Sequence, residues 1–250
     1  MPYINHQGIR IHYQLEGDGL PLVLQHGWSG SVEHWRDFGY VDQLKRDYRL
    51  ILIDARGRGD SDTPEDLAAY DTQRMAEDVV AVLDALQVDR AHFLGYSMGG
   101  WIGFHLAGFA PQRFCSLILG GAHPYPESLA SLRELAGKGT KAIFALWDEM
   151  AAPLSPQSRR RLLEHDTAPL LASCVTDRPD LSAVLTTMTM PCLVYVGEAD
   201  DRYAGAKECV ESIANGVFLS LPGLGHLEAY VRSDLLLPHV TEFLAGVNPA

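Results

Sequence analysis

The chain has 250 residues, 47% of them hydrophobic and 21% charged, which suits one globular domain with a sizeable core. Its formal net charge of −12 repels phosphate backbones and argues against a nucleic-acid partner. No apolar run approaches the roughly 18 residues that a membrane-spanning helix needs, so no membrane association is expected.

Residues 1–10 (MPYINHQGIR) have neither a basic nor an apolar leader segment, so no secretory signal is expected. Cys115, Cys174, Cys192 and Cys209 lie far apart in apolar contexts, with no CxxC pair and no zinc-like spacing. They are expected to be reduced core residues of a cytoplasmic protein.

Residues 8–17 (GIRIHYQLEG) alternate and then break at Gly17-Asp18-Gly19, as a strand and turn do. A second strand, 21–26, ends in Gly27. Trp35, Phe38, Val41 and Leu44 recur every three residues and predict a helix over 32–48. The strand 49–54 runs into a glycine-rich loop, ARGRGDSD. Asp71 or Thr72 then caps a helix whose apolar face carries Met75, Val79, Val82, Leu83 and Leu86. Strand 90–96 leads directly into Ser97, and 98–109 is helical. Further strands are expected at 114–120, 191–197 and 216–221, with helices at 204–214 and 231–247.

Short apolar strands alternating with amphipathic helices imply an α/β fold with a mostly parallel sheet covered on both faces. Residues 123–187 interrupt the alternation with Pro124, Pro126, Pro153, Pro156, Pro169 and Pro179. This segment is expected to be an inserted cap of two to four helices, with 1–122 and 188–250 forming the core. Arg159, Arg160 and Arg161 within it are expected on a solvated helix face. Ligands of open α/β sheets sit at the carboxyl ends of the strands, where Gly27, Ser97, Asp200 and His226 fall.

Gly95-Tyr96-Ser97-Met98-Gly99 is a G-x-S-x-G sequence between a strand and a helix. A serine held on such a strained turn presents its hydroxyl away from the sheet, but it needs a base. His226, in Pro222-Gly223-Leu224-Gly225-His226, follows a strand in an expected loop. The base needs an orienting carboxylate. Asp200 is preferred, with Asp201 second and Glu127 third. The order serine, acid, histidine differs from those of trypsin and subtilisin. His26-Gly27-Trp28 after a strand can supply a backbone N–H for an oxyanion hole at Trp28, paired with the N–H of Met98. His26 itself is expected to brace that loop. Trp28, Tyr96 and Trp147 are candidate substrate contacts. No metal or organic cofactor is called for.

His26-Gly27, Asp54-x-Arg56-Gly57-x-Gly59-x-Ser61, Gly95-Tyr96-Ser97-Met98-Gly99-Gly100, Gly197-x-x-Asp200 and Gly225-His226 occur in that order over nearly the whole chain. In this the sequence resembles the α/β-hydrolase superfamily, in particular its compact bacterial esterase, lactonase and carbon–carbon hydrolase branch. The resemblance implies an eight-stranded sheet with one antiparallel strand near the N-terminus and a helical cap after the sixth strand. It makes Arg56 a brace. Ser97 separates the chain from epoxide hydrolases and haloalkane dehalogenases, which carry aspartate there. The function implied is hydrolysis of a small to medium, partly apolar ester or lactone through an acyl-enzyme. The alternatives are carbon–carbon cleavage of a diketone or ring-fission product, or a slow-turnover ligand receptor.

Overall fold

The computed structural model describes residues 2–150, 152–164 and 166–247. One eight-stranded sheet runs in the order β1-β2-β4-β3-β5-β6-β7-β8. The strands are β1 (Tyr3–His6), β2 (Ile9–Glu16), β3 (Leu20–Gln25), β4 (Tyr48–Ile53), β5 (Ala91–Tyr96), β6 (Phe114–Gly120), β7 (Cys192–Gly197) and β8 (Gly216–Leu221). β2 is antiparallel to both of its neighbours, β1 and β4, while β3 to β8 pair in parallel. Every residue of β5 and β7 is buried, as expected of strands covered on both faces.

β1 was not foreseen, because four residues are too few to establish a period. It is joined to β2 through Gln7 and Gly8, whose φ values of 53° and 83° suit the primed turn that a tight hairpin needs. The helix expected over 32–48 is two: α1 (Val32–Asp37) and α2 (Tyr40–Leu44). Gly39 separates them at φ 83°, and its amide closes α1 by donating to the Arg36 carbonyl at 2.9 Å.

The Asp71 carboxylate caps α3 (Thr72–Ala85), accepting from the Gln73 amide at 2.8 Å. Its buried face carries Met75, Val79, Val82 and Leu83. α4 (Met98–Phe109) follows the turn after β5 and is buried on most of its surface.

Between β6 and β7 the described residues hold four α-helices: α5 (Ala130–Gly137), α6 (Thr140–Glu149), α7 (Pro156–Glu164) and α8 (Thr167–Ala172). The stretch between β6 and β7 closes on itself at Glu127 and Arg178, where the Arg178 amide donates to the Glu127 carbonyl at 2.9 Å. On α7, Arg160 is exposed, while Arg159 and Arg161 pair with Asp148 and Asp60. The chain closes with α9 (Tyr203–Val210), α10 (His226–Val231) and α11 (Ser233–Gly246). Among the described residues no helix is long and apolar enough to cross a membrane. All four cysteines are free thiols, and Cys174, Cys192 and Cys209 are buried.

Candidate active site

β5 ends at Tyr96 and α4 begins at Met98, leaving Ser97 alone on the turn between them. Its φ of 55° and ψ of −109° lie outside the regions that a side chain prefers. The flanking glycines make the turn possible. A Cβ at Gly95 would lie 2.2 Å from the Gly99 carbonyl oxygen, and a Cβ at Gly99 would lie 2.0 Å from the Gln25 carbonyl oxygen. The Ser97 amide is anchored to the Gly120 carbonyl at 2.7 Å. Ser97 is the N-cap residue of α4, whose N-terminus carries partial positive charge.

Ser97 Oγ lies 2.9 Å from His226 Nε2, and His226 Nδ1 lies 2.6 Å from Asp200 Oδ2. The three side chains come from the ends of β5, β7 and β8. His226 is not in a loop, as expected from sequence, but is the first residue of α10. Gly225 precedes it, and its amide donates to Glu228 Oε2 at 2.6 Å, which satisfies one of the free donors at the start of this helix.

Protein atoms around the ring displace water even though 24% of the side chain remains accessible. This burial pulls the imidazole below its ordinary value; the hydrogen bond to Asp200 opposes the shift, and the Arg202 charge adds to it. For Asp200, burial works upward. The bond and charge of His226, with the Arg202 amide at 3.0 Å and its guanidinium, outweigh this and hold the carboxyl below the usual carboxylate value.

The three acids proposed by the sequence are therefore separated by their partners. Asp200 meets the histidine. Asp201 is exposed at the cavity edge and makes no bond to the ring. Glu127 is taken by two arginines: its Oε2 lies 2.8 Å from Arg178 Nη1, and its Oε1 pairs closely with Arg202 Nη2. Sequence reading did not single out Arg202 or Arg178. Arg202 lies only two residues after Asp200, but nothing local marks Arg178, which reaches Glu127 from 51 residues away.

The loop after β3 lies against Ser97, with a Cβ at Gly27 placed 3.5 Å from Ser97 Cβ. Among the described residues, neither the Trp28 amide nor the Met98 amide has an acceptor within the protein. The Trp28 indole donates to the Leu170 carbonyl at 3.0 Å, and Arg58 Nε donates to the Trp28 carbonyl at 2.5 Å. His26 is fully buried and braces the same loop, its Nε2 accepting from the Ala55 amide at 3.1 Å. Arg56, also fully buried, forks onto Asp78 at 2.8 and 2.7 Å.

Ser97 opens into a cavity of about 430 Å³. Leu132, Leu135, Ile143, Leu146 and Trp147 form an apolar wall from α5 and α6, while His123, Glu127, Asp201 and Arg202 form a polar end. Trp28 lines the cavity and is 8% exposed. Trp147 is 3% exposed and lies in a stacked arrangement with Phe38, centroids 5.8 Å apart. Tyr96 also reaches the lining, but its hydroxyl donates to the His226 carbonyl and its ring stacks on Tyr230 at 4.6 Å.

His12, Asp54 and Asp60 bring donor atoms within 4.8 Å of one another. Asp54 is already bonded to the Val32 and Asp60 amides and to His12 Nδ1, and Asp60 pairs with Arg161. These bonds tie the loop after β4 to β2 and to the start of α1.

A model of the alpha/beta hydrolase fold matches residues 21–180. The putative 2-succinyl-6-hydroxy-2,4-cyclohexadiene-1-carboxylate synthase of Bacillus subtilis is 26% identical, over 96% of this chain and 96% of the relative. Among solved structures, the enol-lactonase of Burkholderia xenovorans is similar with a TM-score of 0.83 at 25% identity, covering 98% of this chain and 100% of that one. A hydrolase of Pseudomonas aeruginosa has a TM-score of 0.84 at 28% identity, over 97% of each chain. The strand order, the turn at Ser97 and the family match agree: the chain belongs to the α/β-hydrolase family.

Proposed function

We propose that the protein is a serine hydrolase that cleaves a small to medium, partly apolar ester or lactone through an acyl-enzyme on Ser97. The observation that carries this reading is the unbroken contact series of Ser97 Oγ, His226 and Asp200, at 2.9 and 2.6 Å. In it, His226 Nε2 takes the Ser97 proton as the oxygen attacks the carbonyl carbon. Asp200 holds the Nδ1 proton, fixes the tautomer and stabilises the imidazolium.

The unpartnered amides of Trp28 and Met98 supply the oxyanion hole, each donor contributing about 3 kcal/mol in the transition state. The protonated His226 then gives its proton to the leaving alcohol. Water deacylates the serine by the same route, so the second product is a carboxylic acid.

The segment 123–187 acts as a cap whose helices wall the substrate cavity. The volume of about 430 Å³ falls within the range of small-molecule sites, and the apolar wall favours an apolar acyl or alcohol portion. The likeness to an enol-lactonase at 25% identity supports including lactones.

The test is hydrolysis of p-nitrophenyl acetate, butyrate and octanoate, set beside a panel of simple lactones. Turnover of either class that is lost in Ser97→Ala supports the reading. Folded wild type that hydrolyses neither class and does not react with a fluorophosphonate rejects it.

A further inference from the structure

Three charged side chains connect the root of the cap to the His226 ring. Arg178 leaves one end of the cap and lies over the Trp101 ring, its guanidinium carbon 4.9 Å from the centroid. It pairs with Glu127, at the other end of the cap, at 2.8 Å. Glu127 in turn pairs with Arg202. Arg202 brings Nη1 to 3.4 Å from His226 Nδ1 and 3.7 Å from Asp200 Oδ1, while its amide donates to the same Asp200 oxygen at 3.0 Å. These side chains are all well enclosed: Arg178 is 7% exposed, and Glu127 and Arg202 are each 16% exposed.

The proposed mechanism uses neither arginine. The Nδ1 proton belongs to the Asp200 bond, so a guanidinium donor has no lone pair to bond there. What Arg202 presents to the ring is charge. We propose that Arg202, moored to the cap root through Glu127 and Arg178, is a positioning residue: it braces Asp200 and stands a fixed positive charge at the edge of the His226 imidazole. This rests on the serine-hydrolase reading of the same site.

The charge has a definite sign of effect. It repels the imidazolium, so the base stays neutral, and able to accept the Ser97 proton, at lower pH. The other ionisable groups near the ring are few. Asp200 favours the protonated ring, as does Glu127. Asp201 adds negative charge at the cavity edge. Tyr96, 5.3 Å from the ring, is kept neutral by burial, and burial also favours neutral His123. Arg202 is therefore the one cation among the described residues that directly touches the imidazole.

The experiment is the pH dependence of kcat/KM for p-nitrophenyl butyrate, expressed per active site counted with a fluorophosphonate. Wild type is compared with Arg202→Gln and Arg202→Lys; Arg202→Met replaces the glutamine variant should that fail to fold. In Arg202→Gln the midpoint of the acid limb is expected to rise by about half a pH unit or more. The plateau per labelled site should change less than about tenfold. Arg202→Lys, which keeps the cation, should hold the midpoint of the acid limb near that of wild type.

Arg178→Met should move the limb in the same direction in the wild-type background and no further in the Arg202→Gln background. An acid limb unmoved in Arg202→Gln, with only fewer labelled sites or a lower Tm, would overturn the proposal. Separate, additive shifts would overturn the mooring through Glu127. A wild type that neither labels nor turns over would instead refute the serine reading itself, which sets the two failures apart.

Discussion

Gly99 and Gln25 are in such close contact that a Cβ on Gly99 would fall 2.0 Å from the Gln25 carbonyl oxygen and 2.8 Å from its carbon. Both groups are backbone, so neither can rotate away. The turn carrying Ser97 is thereby pressed onto the end of β3, the strand that leads into the Trp28 loop. Gly99→Ala should cost about 3 kcal/mol or more in urea unfolding. Gly137, near the end of α5, has nothing within 4 Å of its Cβ position. Gly137→Ala should be neutral or stabilising by up to about 1 kcal/mol. Equal effects of the two substitutions would contradict the close approach.

Asp200→Asn should keep the fold and lower kcat by roughly 10³ to 10⁴-fold, because an amide favours the wrong imidazole tautomer. Circular dichroism and steady-state kinetics on the same preparation check this. Asp201→Asn serves as the companion and should stay within a few-fold of wild type. Activity that survives in the first and collapses in the second would move the acid by one residue.

Trp147 forms part of the cavity wall, and its indole donates to Ser29 Oγ at 3.4 Å, beside the Trp28 loop. Trp147→Ala should shift the preferred p-nitrophenyl ester towards longer acyl chains and lower stability by about 3 kcal/mol. An unchanged chain-length profile would take this side chain out of substrate contact.

His34 gives the fold an acid-sensitive point away from the chemistry. It is 2% exposed, packed against both Phe38 and Trp147, and its Nδ1 has no hydrogen-bond partner. Burial, helped by the nearby His26, lowers its pKa to about 3. The unfolded chain therefore binds a proton that the folded one does not, from the ordinary histidine value down to about 3. Stability from this group is complete above that window and falls with pH inside it, by at most about 1.4 kcal/mol per unit. His34→Phe should lose less stability than wild type between pH 7 and pH 4 in urea unfolding. Parallel losses would show that His34 does not carry the effect.

The sequence made the strand ends legible because the buried strands are short apolar runs that end in or near glycine-containing turns. Ser97, Asp200 and His226 each stand close behind such a run, and the eight-stranded, mostly parallel sheet follows from the same alternation together with the family resemblance. What stayed hidden was set by contacts distant in sequence. Sequence ranks Asp200 above Asp201 and Glu127 but cannot show their partners; the pairs with Arg178, 51 residues away, and with Arg202 show where Glu127 is spent. The break at Gly39 was masked by an apolar spacing that runs through it. Gly223 and Gly225 make the stretch before His226 read as a loop, and the short α10 it begins has too few residues to show a period.

The most direct measurement is fluorophosphonate labelling together with p-nitrophenyl ester hydrolysis, for wild type and Ser97→Ala side by side. If Ser97 is the nucleophile, wild type takes up one label per chain and turns over ester, and Ser97→Ala does neither while keeping its Tm. A label that persists in Ser97→Ala, or a folded wild type that never labels, would contradict the assignment of Ser97.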